Sequence, residues 1–259
     1  MKRMFLVSLI LLGVTLVWAD ENTNSPWTPS VNLRTVVASK YLAFGSGGTL
    51  YDKPVIQSDI FTSFQNGFYV DLWNSTALTG HDSNFGWEQD LGIGWAGPLS
   101  TFGICGYASD MTLDIGTTYF DEPGLLTLGA KDVLYSHVKL SKAITKWFAM
   151  NGEYENYVTM PKTGYQGGSL FSLGASTSKS FLGHNDDLVT ASTALAIVYD
   201  NGGFGCDDGF LLRGSAELDW KLTTHVTMIL PQVNYYVPVT MQDSRRLDAV
   251  VFAGFGYHF

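Results

Sequence analysis

Leu211-Leu212-Arg213-Gly214-Ser215-Ala216-Glu217-Leu218-Asp219-Trp220-Lys221-Leu222 changes character at every step. Leu212, Gly214, Ala216, Leu218, Trp220 and Leu222 form one set, and Arg213, Ser215, Glu217, Asp219 and Lys221 the other. Successive side chains of a strand point to opposite faces, whereas a helix would scatter these charges around its circumference. The stretch therefore reads as a strand with one wholly apolar and one wholly polar face.

The same period of two recurs along the chain. From Val31 to Tyr41 the positions Val31, Leu33, Val37 and Tyr41 are apolar, while Asn32, Arg34 and Lys40 share the other face. Further alternating runs lie at Val55–Phe64, Phe68–Asn74, Trp87–Trp95, Met111–Phe120, Val133–Leu140, Phe148–Tyr157, Phe171–Thr177, Leu188–Tyr199, Val226–Val237 and Ala249–Phe259. Together they make about twelve strands of roughly ten residues, the length a tilted membrane-crossing strand requires.

Composition points to the same class. Only 15% of residues are charged, against about 25% in ordinary soluble domains, while 14% are aromatic and 28 are Gly. Few charges and many aromatics suit a surface that meets lipid. The first nineteen residues read as a secretory signal, with Lys2 and Arg3 ahead of the apolar run Met4 to Val17 and a small residue, Ala19, at the expected cleavage site. No second run of eighteen apolar residues occurs, which excludes crossing by helices and leaves a closed barrel as the way to satisfy backbone groups in a bilayer. Beyond the signal, 13 basic residues face 24 acidic ones. So acidic a chain is unsuited to nucleic acid, whose phosphates demand Lys and Arg.

The connections sort by length. Gln65-Asn66-Gly67 and Leu222–His225 are tight, whereas Gly45–Pro54, Ser75–Gly86, Asp121–Lys131, Val158–Gly168, Asn201–Gly209 and Thr240–Leu247 are long. In outer-membrane barrels short turns face the periplasm and long loops the exterior. Gly97–Asp110 is long where a short turn is due. The last run places Val251, Ala253, Phe255, Tyr257 and the final Phe259 on one face. A strand ending on Phe with apolar residues at alternate positions fits the signal that barrel-insertion machinery reads, carried here by Val251, Phe255, Tyr257 and Phe259. A secreted β-sandwich would also alternate, but it needs neither that ending nor the loop asymmetry. The expectation is an all-β, antiparallel up-and-down barrel: signal 1–19, periplasmic tail 20–30, barrel 31–259 in the outer membrane.

Val36-Val37-Ala38-Ser39-Lys40-Tyr41, Lys53-Pro54-Val55-Ile56-Gln57, Asn66-Gly67-Phe68-Tyr69-Val70-Asp71-Leu72-Trp73 with Ser75, and Tyr119-Phe120-Asp121-Glu122-Pro123-Gly124 resemble the TorF-like family of proposed outer-membrane porins, also known as Gcw_chp proteins. The resemblance covers about the first hundred residues after the signal. This chain has Ala43-Phe44-Gly45 where an arginine followed by glycine is usual, and Gly97–Asp110 looks like an insertion. The resemblance implies an outer-membrane barrel acting as a channel.

Catalytic, cofactor and metal motifs are not expected. Gly92-Ile93-Gly94-Trp95-Ala96-Gly97 matches a dinucleotide fingerprint by letter, but it lies within an alternating strand with no helix following. It reads as small inward residues that relieve crowding. Histidines 81, 137, 184, 225 and 258 lack metal-ligand spacing, and His81-Asp82-Ser83 are adjacent, which is not how triads converge. Cys105 and Cys206 fall at opposite ends of the barrel, too far apart for a disulfide.

An inward face rich in ionisable groups is costly without water. The expected lumen residues are Arg34, Lys40, Asp59, Asp71, Glu88, Asp90, Asp114, Lys139, Glu153, Glu155, Arg213, Glu217, Asp219 and Lys221. Asp71, Glu88, Asp90 and Asp114 form an acidic ladder on neighbouring strands. The reading is a narrow channel for small hydrophilic solutes with a modest cation preference. An outer-membrane enzyme of barrel fold and an adhesive barrel with binding loops are its rivals, and cross-strand charge pairs that plug the lumen are the alternative inside it.

Overall fold

The computed structural model describes residues 25–43, 47–79, 87–121, 132–159, 167–183, 187–202, 207–240 and 248–259. The signal segment 1–19, most of the tail and His81, His184 and Cys206 lie outside these residues.

Twelve long strands close into one antiparallel barrel. They are β1 (Pro29–Ala38), β4 (Val55–Phe64), β5 (Phe68–Ala77), β6 (Trp87–Pro98), β7 (Thr112–Asp121), β8 (Val133–Ala143), β9 (Phe148–Thr159), β10 (Gly168–Phe181), β11 (Val189–Asn201), β12 (Gly209–Lys221), β13 (Val226–Pro238) and β14 (Asp248–His258). Two short strands, β2 (Tyr41–Leu42) and β3 (Thr49–Tyr51), make a separate hairpin between β1 and β4. β1 starts at Pro29, two residues into the stretch expected as tail, because Pro29 and Ser30 pair with Phe64 and Ser63. Closure runs from Asn32↔His258 to Ala38↔Phe252. Each strand pairs with its sequence neighbour and the ring leaves no edge, so every strand backbone group can be satisfied within hydrocarbon.

Burial is inverted relative to a water-soluble protein. Outward positions carry Leu173, Phe255 and Ile93, at 65%, 56% and 54% exposure, whereas inward Glu155 is fully buried. An apolar band facing outward with charges inside is the arrangement a bilayer selects. At outward positions towards the long loops Tyr154 packs on Phe171 and Tyr199 on Phe210. At the short-turn end Trp27 contacts Phe64 and Phe68, and Tyr257 contacts Phe259.

Connections alternate around the ring. Residues 65–67, 99–111, 144–147, 182–188 and 222–225 join strands at one end, and the remaining connections lie at the other. The 99–111 segment thus occupies a short-turn position, built from two single 3-10 turns, Leu99–Phe102 and Gly106–Ala108.

Candidate channel interior

The inward faces of β1, β4–β9, β13 and β14, with the β2–β3 hairpin, enclose a cavity of about 760 Å³. Arg34, Lys40, Asp59, Asp71, Glu88, Asp90, Asp114, Lys139 and Glu153 line it. Arg213, Glu155, Glu217 and Asp219 are also inward, reached through the register Leu170↔Glu155, Arg213↔Tyr236 and Glu217↔Gln232. Lys221 stands apart. As the last residue of β12 it reaches the rim, where its Nζ pairs with Asp187 at 2.9 Å, and it does not line the cavity.

The hairpin is the feature that reading the chain by period missed. Gly45–Pro54 was expected as an outer loop, yet the connection turns into the barrel mouth. Tyr41, Leu42, Ala43 and Tyr51 are buried there, against Val55, Val133, Tyr135, Tyr236 and Val250. The Tyr41 ring lies 5.6 Å from that of Trp73, and its hydroxyl donates to Glu88 on β6. Tyr51 donates to the Thr79 carbonyl. Lys40 pairs with Asp248 on β14, which also accepts from Thr49 Oγ1 at 2.6 Å. Gly47 holds φ +75° and its α-carbon sits against the Tyr236 ring, leaving no room for a Cβ. The available signal was Tyr41 and Tyr51 flanking a Gly-rich tip, aromatics that a solvated loop does not need.

Below the hairpin the charges are unevenly matched. Arg34 and Asp59 are register partners, but the guanidinium swings to Glu217 (2.7 Å) and Gln232 across the seam. Arg213 donates to Glu155 at 3.0 Å and lies 3.4 Å from Glu153. Lys139 stands in register between Asp114 and Glu153. The Asp59 and Asp71 carboxyls, left without a basic partner among the described residues, lie within hydrogen-bonding reach of each other, and one oxygen of each has no protein donor. The expected ladder is therefore not uniform: Glu88 is held by Tyr41, Asp114 by Tyr69 (2.9 Å) and His137 (3.2 Å).

Tyr69 is a second residue missed at the sequence level. Its ring lies across Gly94 and Gly116, where a Cβ would collide with it. The Gly92-Ile93-Gly94 pattern, which reads as relief of crowding, thus has its occupant: the tyrosine that fixes Asp114 and His137. Trp73 sits in register between Asp59 and Asp90, and Phe120 and Tyr135 stack at 5.6 Å further round the wall. The interior is an aromatic and carboxylate surface on β4–β8 facing a more compensated one on β9–β14. Among the described residues no group of three His, Cys, Asp or Glu side chains could hold a metal ion.

Among solved structures, the KdgM porin superposes with a TM-score of 0.52 at 11% identity, covering 89% of this chain and 99% of that one. The NanC porin gives 0.53 at 11% identity, with 88% and 98% covered. An outer membrane channel from Pseudomonas putida F1 gives 0.51 at 8% identity, with 93% and 100% covered. At such identities the likeness is one of fold. Among curated proteins no sequence match was found. With the barrel in place and its sequence profile matching residues 20–239, the chain belongs to Gcw_chp, a family of bacterial proteins of unknown function.

Proposed function

We propose that this barrel is an outer-membrane channel, narrow and selective for small hydrophilic solutes with a modest preference for cations. The observation that carries the reading is the cavity inside the barrel, whose wall holds more ionisable groups than its ion pairs engage, groups that water or a polar solute can solvate. With Lys221 at the rim, nine inward carboxylates of the expected set face four basic groups, Arg34, Lys40, Lys139 and Arg213. Arg34, Lys40 and Arg213 are already engaged by Glu217, Asp248 and the Glu153–Glu155 pair. The surplus is negative and sits mainly on β4–β6. A narrow low-dielectric pore focuses such a field on the ions inside it. The fold shared with porins supports the reading by analogy.

In this reading the short turns face the periplasm, export uses the signal in 1–19, and insertion machinery engages the outward Val251, Phe255, Tyr257 and Phe259. The purified protein in a planar bilayer is expected to conduct, with reversal potentials in a KCl gradient that favour potassium. Replacing Glu88 and Asp90 together by Lys is expected to move the reversal potential towards chloride. Absence of conductance would reject the channel. Anion selectivity in the wild type would reject the cation preference alone.

A further inference from the structure

The 99–111 connection differs from every other one at its end of the barrel. Thirteen residues span a step that three to seven span elsewhere. Its path reverses at Gly103 and Gly106, with φ +75° and +78°, a backbone region that side-chain-bearing residues rarely adopt. The two ends of the segment close on each other, the Leu99 N–H donating to the Met111 carbonyl at 2.9 Å and the Ser100 N–H to that of Ser109 at 3.3 Å.

Two contacts fix its placement. Trp95 is an outward residue of β6, in register with outward Phe68 and Ile115, and the Phe102 ring meets its indole edge-on at 5.1 Å. Lys142 is an outward residue of β8, in register with Met150. Its Nζ lies 3.2 Å from the Tyr107 ring centroid and donates to the Tyr107 carbonyl and to Asp110 Oδ1 at 2.7 Å. The segment is thereby pinned to the outward faces of β6 and β8 at their short-turn ends. From it project Phe102, Ile104 and Tyr107, at 58%, 40% and 80% exposure, next to a wall whose β6 and β7 expose Leu91, Ile93 and Ile115. Three large apolar side chains held out by a pinned backbone would be unfavourable in water. The headgroup layer suits them, because a tyrosine or tryptophan there meets acyl chain with its ring and water with its polar tip.

We propose that residues 99–111 form a foot resting in the lipid headgroup layer at the short-turn end, with Phe102 and Tyr107 as its anchors. The occupant of this face is lipid, since the face is continuous with the lipid-facing wall, and the contact would fix the depth and tilt of the β6–β8 side. The inference rests on membrane insertion and not on conduction.

Cys105 supplies a reporter between the two anchors, being exposed. In the full-length Cys206→Ser protein, Cys105 carries a bimane label and the barrel is reconstituted in phosphatidylcholine and phosphatidylglycerol vesicles. A nitroxide on the lipid headgroup is expected to quench the label at least about twofold more than the same nitroxide in water, as an interfacial position requires. Phe102→Asp with Tyr107→Asp should abolish that difference while the barrel keeps its resistance to unfolding in detergent. Equal quenching by the aqueous probe would overturn the proposal. So would a label shielded from both probes only when barrels are crowded, the mark of a second copy as occupant.

Discussion

Converting Asp59 and Asp71 together to Asn removes two of the nine carboxylates of the interior set without changing side-chain volume. Two carboxyls within hydrogen-bonding reach of each other share one proton, so the nine carry eight negative charges against four basic groups, a surplus of four that the double variant reduces to three. A unit charge at about 10 Å from a permeating ion is worth about 0.4 kcal/mol at the dielectric of water. At 0.1 M salt, where the Debye length is about 10 Å, screening leaves about 0.15 kcal/mol per charge. Four surplus charges then enrich monovalent cations about threefold in the lumen, and three enrich them about twofold. At 0.01 M the Debye length is about 30 Å and the corresponding factors rise to about seven and about five. The assay is the reversal potential across a KCl gradient at both mean salt concentrations. The variant is expected to lose about a third of the wild-type preference, with both proteins less selective at the higher salt. A double variant as selective as the wild type, or a preference that does not weaken with salt, would show that these two groups do not face the conducting path.

Replacing Arg213 by Met removes the ion-pair partner of the fully buried Glu155 and should cost about 3–5 kcal/mol in urea unfolding from lipid bilayers, as breaking a buried pair does; an unchanged midpoint would refute it. Tyr41→Ala removes the hairpin's contacts with Trp73 and Glu88, so single-channel conductance should rise; a current equal to that of the wild type would mean that the hairpin does not narrow the path. The Lys142 ammonium holds the Asp110 carboxyl below its ordinary value of 3.8. Its folded pKa is the lower one, so the tether is complete above pH 3.8 and fades only as pH falls through that depressed value. A spin label on Cys105 should therefore keep constant mobility from pH 8 to 5 and loosen in stronger acid, whereas Lys142→Ala should loosen it at every pH.

The barrel was legible because lipid favours apolar side chains on the outward face, so Leu212 to Leu222 alternates with polar residues at every step, and the final strand keeps an apolar outward face from Val251 to Phe259. Loop length told the two ends apart. What stayed hidden depends on contacts between distant parts of the chain. Nothing near Arg34 in sequence says that it leaves its register partner Asp59 for Glu217, 183 residues away. The inward turn of the β2–β3 hairpin is decided by Trp73, Glu88 and Asp248, all on other strands. Lys221 follows the polar face faithfully, but the strand ends there, and its length beyond the rim matters more than its parity. The glycines of β6 announced spare room, although only the structure revealed that Tyr69 fills it at Gly94.

The β1–β14 seam carries a consequence for the order of events during assembly. Arg34 on β1 and Lys40 just beyond its end find Glu217, Gln232 and Asp248 on β12, β13 and β14, so a half-made barrel holds two cations whose partners have not yet arrived. β1 can pair with β4 at once, yet its other edge and its charges stay exposed to water until the last strand docks. Loop closure over more than two hundred residues is slow. The open sheet is therefore a long-lived species whose free edge must be kept from foreign strands, and the seam acts as a latch that engages only when all twelve staves are in place.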